Sequence, residues 1–185
     1  MRKKQSVDAT DVCDFWFQEI DPKKWWVKSH DFDELVRHRF SDVHARAVYC
    51  ELFPWRETPA GRLAEIIVLD QFSRNIYRDR PESFANDALA LALSQAAIDS
   101  GADKALKAKE KSFLYMPFMH SESLHIHKTA VQLFDQEGLE DYYNFELKHV
   151  AIIERFGRYP HRNGILGRDS TPEELEYLRQ PGSGF

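Results

Sequence analysis

Acids, imidazoles and guanidines concentrate in four stretches of this 185-residue chain, and their spacing suits proton transfer, anion recognition or both. The first is Leu69-Asp70-Gln71-Phe72-Ser73-Arg74-Asn75-Ile76. At about 100° per residue, Asp70 and Arg74 fall in the middle of a helix face made by Leu63, Ile66, Ile67 and Tyr77, with apolar flanks from Leu69, Phe72 and Ile76. An acid four residues ahead of a base is the favourable helical order. A charge inside an apolar surface is tolerated only when paired and hydrogen-bonded. The pair is either an internal ion pair that pins helix register or a charged group projecting into a cleft.

The second stretch, His120-Ser121-Glu122-Ser123-Leu124-His125-Ile126-His127, holds four potential ligands in eight residues. The spacing is not H-E-x-x-H. The H-x-E at His120 and Glu122 is half of a zinc-deaminase signature, but the P-C-x-x-C that completes it is absent. No metal or other cofactor is expected, and helix capping by Ser121 or Ser123 accounts for part of the segment. The third stretch places His149 among Tyr142, Phe145, Ile152, Ile153 and Phe156. It reads as a satisfied core histidine or as a neutral imidazole available for proton transfer, because burial lowers a histidine pKa.

The fourth runs from Arg155 to Arg168 and contains Arg155, Arg158, His161, Arg162, Asn163 and Arg168, three glycines, and no acid or lysine. Guanidinium forks suit carboxylate or phosphate, and glycines let main-chain N–H groups approach an anion. The alternative is structural: arginines cap helix carbonyls or pair with core acids such as Asp70. The P-loop pattern is missing. The ligand-binding candidates are therefore Asp70, Arg74, Asn75, His120, Glu122, His149, Arg158, His161, Arg162, Asn163 and Arg168, with no catalytic role assigned.

Helices must position these groups. Apolar residues recur at helical spacing in Asp8 to Ile20, Phe32 to Cys50, Thr58 to about Tyr77, Phe84 to Asp99, Lys109 to His120, Ser123 to Glu137, Glu140 to Phe156, and Thr171 to about Gln180. A short aromatic piece spans Pro22 to Val27. Asp8 or Thr10, Ser29 or Asp31, and Thr58 serve as caps. Thr171 followed by Glu174 makes a capping box. Pro117 predicts a kink or an end. No segment alternates with period two. The reading is all-α, with about eight to nine helices in one domain over residues 1–185, the ends 1–7 and 181–185 frayed.

Composition narrows the function. Asp and Glu outnumber Lys and Arg by 30 to 25, which argues against a nucleic-acid partner. Apolar runs far shorter than ~20 residues argue against a membrane span. Cys13 and Cys50, too few for a disulfide framework, read as small buried hydrophobes in a reducing compartment. The basic start MRKKQSVDATD lacks an apolar core, so it is not a secretion signal. A cytoplasmic, soluble protein is expected; its oligomeric state is left open.

These blocks also resemble a known family. Asp14-Phe15-Trp16-Phe17, Trp25, Leu69 to Ile76, Tyr115-Met116-Pro117-Phe118-Met119-His120-Ser121-Glu122, Phe156 to Asn163, Leu166-Gly167-Arg168 and Ser170 to Glu174 together resemble bacterial domain-of-unknown-function family 924. Ser73 stands where that pattern commonly has proline. The resemblance implies a TPR-like superhelix of stacked antiparallel hairpins and no established activity. Three functions follow: a binding module for an anionic small molecule or peptide, ranked first; an acid–base enzyme acting on an anionic substrate; or an interaction protein with a buried polar network.

Overall fold

The computed structural model describes residues 7–184, and among them every regular element is helical. Helix α1 (Ala9–Asp14) runs on through a π-type turn, Phe15–Glu19. Helix α2 is His30–Val48. Helix α3 (Pro59–Ile67) continues through a second π-type turn, Val68–Phe72, and ends with Ser73–Ile76. Then come α4 (Asp87–Asp99), α5 (Ala108–Met119), α6 (Leu124–Phe134), α7 (Glu140–Phe156) and α8 (Pro172–Leu178). Short 3₁₀ turns join them, including Pro81–Ser83 and Pro160–Arg162. Most of the residues expected to fray lie outside the described residues.

Local chemistry sets the boundaries. Asp8 and Asp11 cap α1 reciprocally, at 2.9 Å in each direction. The Ser29 hydroxyl accepts from Phe32 N, and Thr58 Oγ1 accepts from Gly61 N ahead of Pro59. Gly61 is required sterically, since a Cβ there would sit 2.0 Å from the Trp55 carbonyl oxygen. Gly157 ends α7 with φ 67°, a left-handed cap that costs glycine little. Helix α5 passes through Pro117 and ends two residues later, so the missing N–H falls in its last turn. Helix α4 starts at Asp87 rather than Phe84, because Pro81–Ser83 forms its own turn.

Helix α3 is central to the packing. Helix α3 contacts α1, α2, α4 and α5; further along, α4 packs on α5, α5 on α6, and α6 on α7. One core runs from Val12 to Leu139. Its centre is aromatic: Phe15 to Phe40 at 4.7 Å, Phe40 to Phe72 at 4.6 Å, and Trp25 to Phe113 at 4.8 Å between ring centroids. Such pairs contribute roughly 0.5–1.5 kcal/mol each beyond their buried area. A second small cluster joins Ile152, Ile153 and Tyr159, with Phe156 and Tyr177 against it.

Three expectations about burial change. Leu35 and Val48, within the helical apolar spacing of Phe32 to Cys50, and Phe145, on the face around His149, are exposed. Cys13 is half-buried, its thiol pushed up to about 12 chiefly by burial. Cys50 is exposed with φ 57°, a turn residue rather than a small core hydrophobe. No described helix is long and apolar enough to cross a membrane.

Candidate functional site

The second π-type turn sets the site. Its residues Val68 to Phe72 are all buried, and it carries Asp70 at full burial. Such turns break the regular hydrogen-bond ladder and recur at functional positions. Ser73 Oγ donates to the Leu69 carbonyl, four residues back, at 2.6 Å, a side-chain bond that accompanies helix bending. With its proton so committed, the hydroxyl accepts from His44 Nε2 at 2.7 Å. Burial pushes His44 down to about 4, so it is neutral at pH 7.

Asp70 faces the end of α5. His120 Nδ1 lies 2.7 Å from Asp70 Oδ1, Gln71 Nε2 donates to Oδ2 at 2.6 Å, and Arg74 Nη1 stands 3.1 Å from Oδ1. Burial alone would raise the Asp70 carboxyl; Arg74, His120 and Gln71 outweigh it and hold the group below the usual carboxylate range. An ionised carboxylate can only accept, so His120 donates its Nδ1–H and carries its lone pair on Nε2. Burial first, and then Arg74, push the His120 pKa down. The ring is therefore a neutral base at pH 7, held in one tautomer by a buried acid.

His120 lines a hollow of about 390 Å³, within the usual range for small-molecule sites. Phe84, Leu91, Pro117 and Leu166 give it an apolar wall, and Asp87, His120, Glu122 and Arg162 are its charged or titratable lining. Arg162 is sandwiched between Phe84 and Tyr159, 4.6 and 4.7 Å from their centroids. It donates from Nη1 to Asp87 at 3.1 Å and from Nη2 to the His120 carbonyl at 3.0 Å. Arg74 Nη2 donates to the same Asp87 carboxylate at 3.1 Å. Burial and then Arg74 make the charge on Arg162 costly, lowering its pKa.

The structure thus brings together Asp70, Arg74, His120, Glu122 and Arg162, joins Arg168 to them through Glu122, and gives the other candidates different partners. Asn75 turns the other way and donates to Asp33, which also pairs with Arg78. His149 hydrogen-bonds the Phe145 carbonyl at 2.7 Å and meets Tyr159 edge-on. His161 is half-buried beside the Tyr159 ring and is pushed down to about 4, mainly by burial.

Each arginine of the loop meets an acid: Arg155 with Glu173, Arg158 with Glu174, Arg162 with Asp87, and Arg168 with Glu122. Asn163 donates to Glu174 and Ser170 and accepts from Arg168. The expected local excess of positive charge is balanced by these partners. The arginine-rich segment holds no acid of its own, and its acids come from α4, the α5–α6 turn and α8. Asp87, a wall of the hollow, carried only the signal of an acid in a helix's first turn.

The histidine-rich segment also diverges. His120 meets Asp70, Glu122 meets Arg168, and His125 is exposed. His127, fully buried, places Nδ1 2.6 Å from Glu146 Oε1 and Nε2 2.8 Å from the Ser121 carbonyl. Among the described residues, no three His, Cys, Asp or Glu side chains gather as metal ligands would.

Comparison with known proteins gives a fold and a family. A solved structure of a protein of unknown function from Agrobacterium tumefaciens is 40% identical, covers 92% of this chain and 96% of its own, and superposes with a TM-score of 0.88. No curated protein matches. A family model described as bacterial protein of unknown function (DUF924) matches residues 12–182, and the chain belongs to that family.

Proposed function

We propose that the hollow is the active site of an enzyme in which His120 acts as general base on a small substrate with an apolar body. One observation carries this reading. An imidazole on the hollow wall is oriented at 2.7 Å by a buried carboxylate that is itself compensated by Arg74. This arrangement leaves Nε2 as the free base position, with no protein hydrogen-bond partner among the described residues. Proton transfer from a positioned base contributes typically ~10²–10⁴-fold in rate. An anionic group on the substrate would meet Arg162, the arginine of the loop that lines the hollow. The succession of α4 on α5, α5 on α6 and α6 on α7 supports a TPR-like superhelix as the scaffold of the same reading, and the exposed Cys50 suits a cytoplasmic setting.

A second reading, a binding module for an anionic small molecule or peptide, is favoured by Arg74 and Arg162 leaning on the single carboxylate of Asp87. A ligand anion could relieve that shared arrangement.

The test is a panel of small carboxylic and phosphoric esters and hydroxy acids with apolar bodies, followed by NMR for both binding and turnover. The expected result is turnover that falls ~10²–10⁴-fold in His120→Gln, with binding retained. Binding that depends on Arg162, with no turnover of any bound compound, would replace the enzyme by the binding module.

A further inference from the structure

The end of α5 is held from outside at four consecutive residues. The Met119 carbonyl accepts from Tyr159 Oη at 2.5 Å, the His120 carbonyl from Arg162 Nη2 at 3.0 Å, and the Ser121 carbonyl from His127 Nε2 at 2.8 Å. Glu122 Oε1 accepts from Tyr159 N at 2.7 Å. Terminal helix carbonyls need partners. Here the partners sit on other elements, so they fix where the turn stands as well as satisfying it.

His127 is the deepest of these partners. The Ser121 carbonyl can only accept, so His127 carries a proton on Nε2. Its Nδ1 faces Glu146 Oε1 at 2.6 Å, and one further proton lies between them. Whether that proton rests on nitrogen or oxygen, the pair is neutral overall. Both ring nitrogens are occupied, so the ring cannot turn without losing a bond. His127 is absent from the wall of the hollow; it acts on the hollow through the main chain of Ser121, between His120 and Glu122.

We infer that His127, braced by Glu146, is a positioning residue for the hollow: it holds the Ser121 carbonyl and so the aim of the His120 imidazole and the Glu122 carboxylate. Its functional meaning rests on reading the hollow as an active site, but its test reads geometry and needs no substrate.

The test follows the His120 imidazole by NMR in the full chain, through its titration midpoint and tautomer. In His127→Leu the expected midpoint rises towards the ordinary histidine value, because a loosened ring is better solvated and less fixed beside Arg74. His127→Gln, whose amide can still donate to the Ser121 carbonyl, restores the wild-type midpoint. Glu146→Gln also keeps it, since His127 then accepts at Nδ1 and still donates at Nε2. A folded His127→Leu with an unchanged His120 midpoint and tautomer overturns the inference, as does a Gln variant that shifts as far as Leu. If His127→Leu does not fold, Glu146→Ala replaces it: the ring remains without its brace, and an unmoved His120 then counts against the inference. A shifted His120 in a protein that turns nothing over sinks the enzyme reading alone. An unmoved His120 in a working enzyme sinks only the positioning role.

Discussion

Two acid–imidazole pairs of nearly equal length stand in this molecule, Asp70–His120 at 2.7 Å and Glu146–His127 at 2.6 Å. Their surroundings differ. Asp70 has Arg74 against it, and its histidine borders an open hollow. Glu146 and His127 are both fully buried, and burial, opposed by His127, pushes the Glu146 carboxyl up. With a guanidinium at hand the acid stays ionised and the imidazole is left as a base. In the sealed pair one proton serves both groups, and the histidine becomes a brace. Neighbouring charge and access to water, more than residue type, decide which role such a pair plays.

The largest expected effect separates the pairs by charge. Asp70→Asn removes a buried negative charge beside Arg74 and His120. Breaking a buried ion pair from one side costs ~3–5 kcal/mol. Glu146→Gln exchanges one neutral pair for another, so about 1 kcal/mol is expected, the scale of one hydrogen bond. Urea unfolding at neutral pH measures both. An equal loss in the two variants would mean that Glu146 carries a full charge in the folded state, and the contrast would collapse.

The sequence displayed one side of this contrast better than the other. Asp70 and Arg74 stood out because two charges on an otherwise apolar helix face break the pattern, and His120 and Glu122 stood out by crowding. The π-type turn at Val68–Phe72 left no mark in the periodicity, since one extra residue in a helix surrounded by apolar neighbours looks regular. Asp87 looked like an ordinary first-turn acid, and Tyr159 like one aromatic among many, yet Tyr159 touches Met119, Glu122 and Arg162. The arginine loop was legible as a unit but not as two units. Arg162 turns to the hollow, whereas Arg158 joins Glu174 on α8. Which acid each arginine meets depends on contacts up to 75 residues apart in the chain, and local spacing cannot report these. Several helix starts were legible from a capping side chain, as at Asp8, Ser29, Thr58 and Thr171, whereas the cap that Glu110 gives Lys107 N was not.

A third imidazole sharpens the comparison. His149 donates to a carbonyl rather than a carboxylate, and burial, the largest influence, pushes it down to about 3. The unfolded chain takes up its proton near the ordinary value of ~6.5. Because the folded pKa is the lower one, the stability from keeping His149 neutral is complete above ~6.5 and lost as pH falls towards the folded value. His149→Asn keeps a donor for the Phe145 carbonyl and removes the titration. The stability gap between wild type and variant is expected to narrow by ~2 kcal/mol on going from about pH 7.5 to about pH 5. Chemical denaturation at the two pH values measures it; a gap that does not change with pH would show that His149 titrates in the folded protein as it does in the unfolded chain.

The smallest effect tests whether the clamp at α8 is separate from the hollow. Thr171 Oγ1 accepts from Glu174 N at 3.2 Å, and Glu174 in turn accepts from Thr171 N, Arg158 and Asn163. The Arg158 bond, chief among these, holds the Glu174 carboxyl down to about 2. Thr171→Ala removes one cap and is expected to cost about 1 kcal/mol in thermal unfolding. The path from this clamp to the hollow runs through Asn163 to Arg168 and on to Glu122. Glu122 is also held by Tyr159 N, which donates to Oε1 independently of the Asn163–Arg168 contact. The loss of one hydroxyl should therefore stop short of His120, whose titration midpoint is expected to stay at the wild-type value. A shift of His120 in Thr171→Ala would mean that the carboxyl-terminal arginines help set the base, and the division between brace and base would then have to include α8.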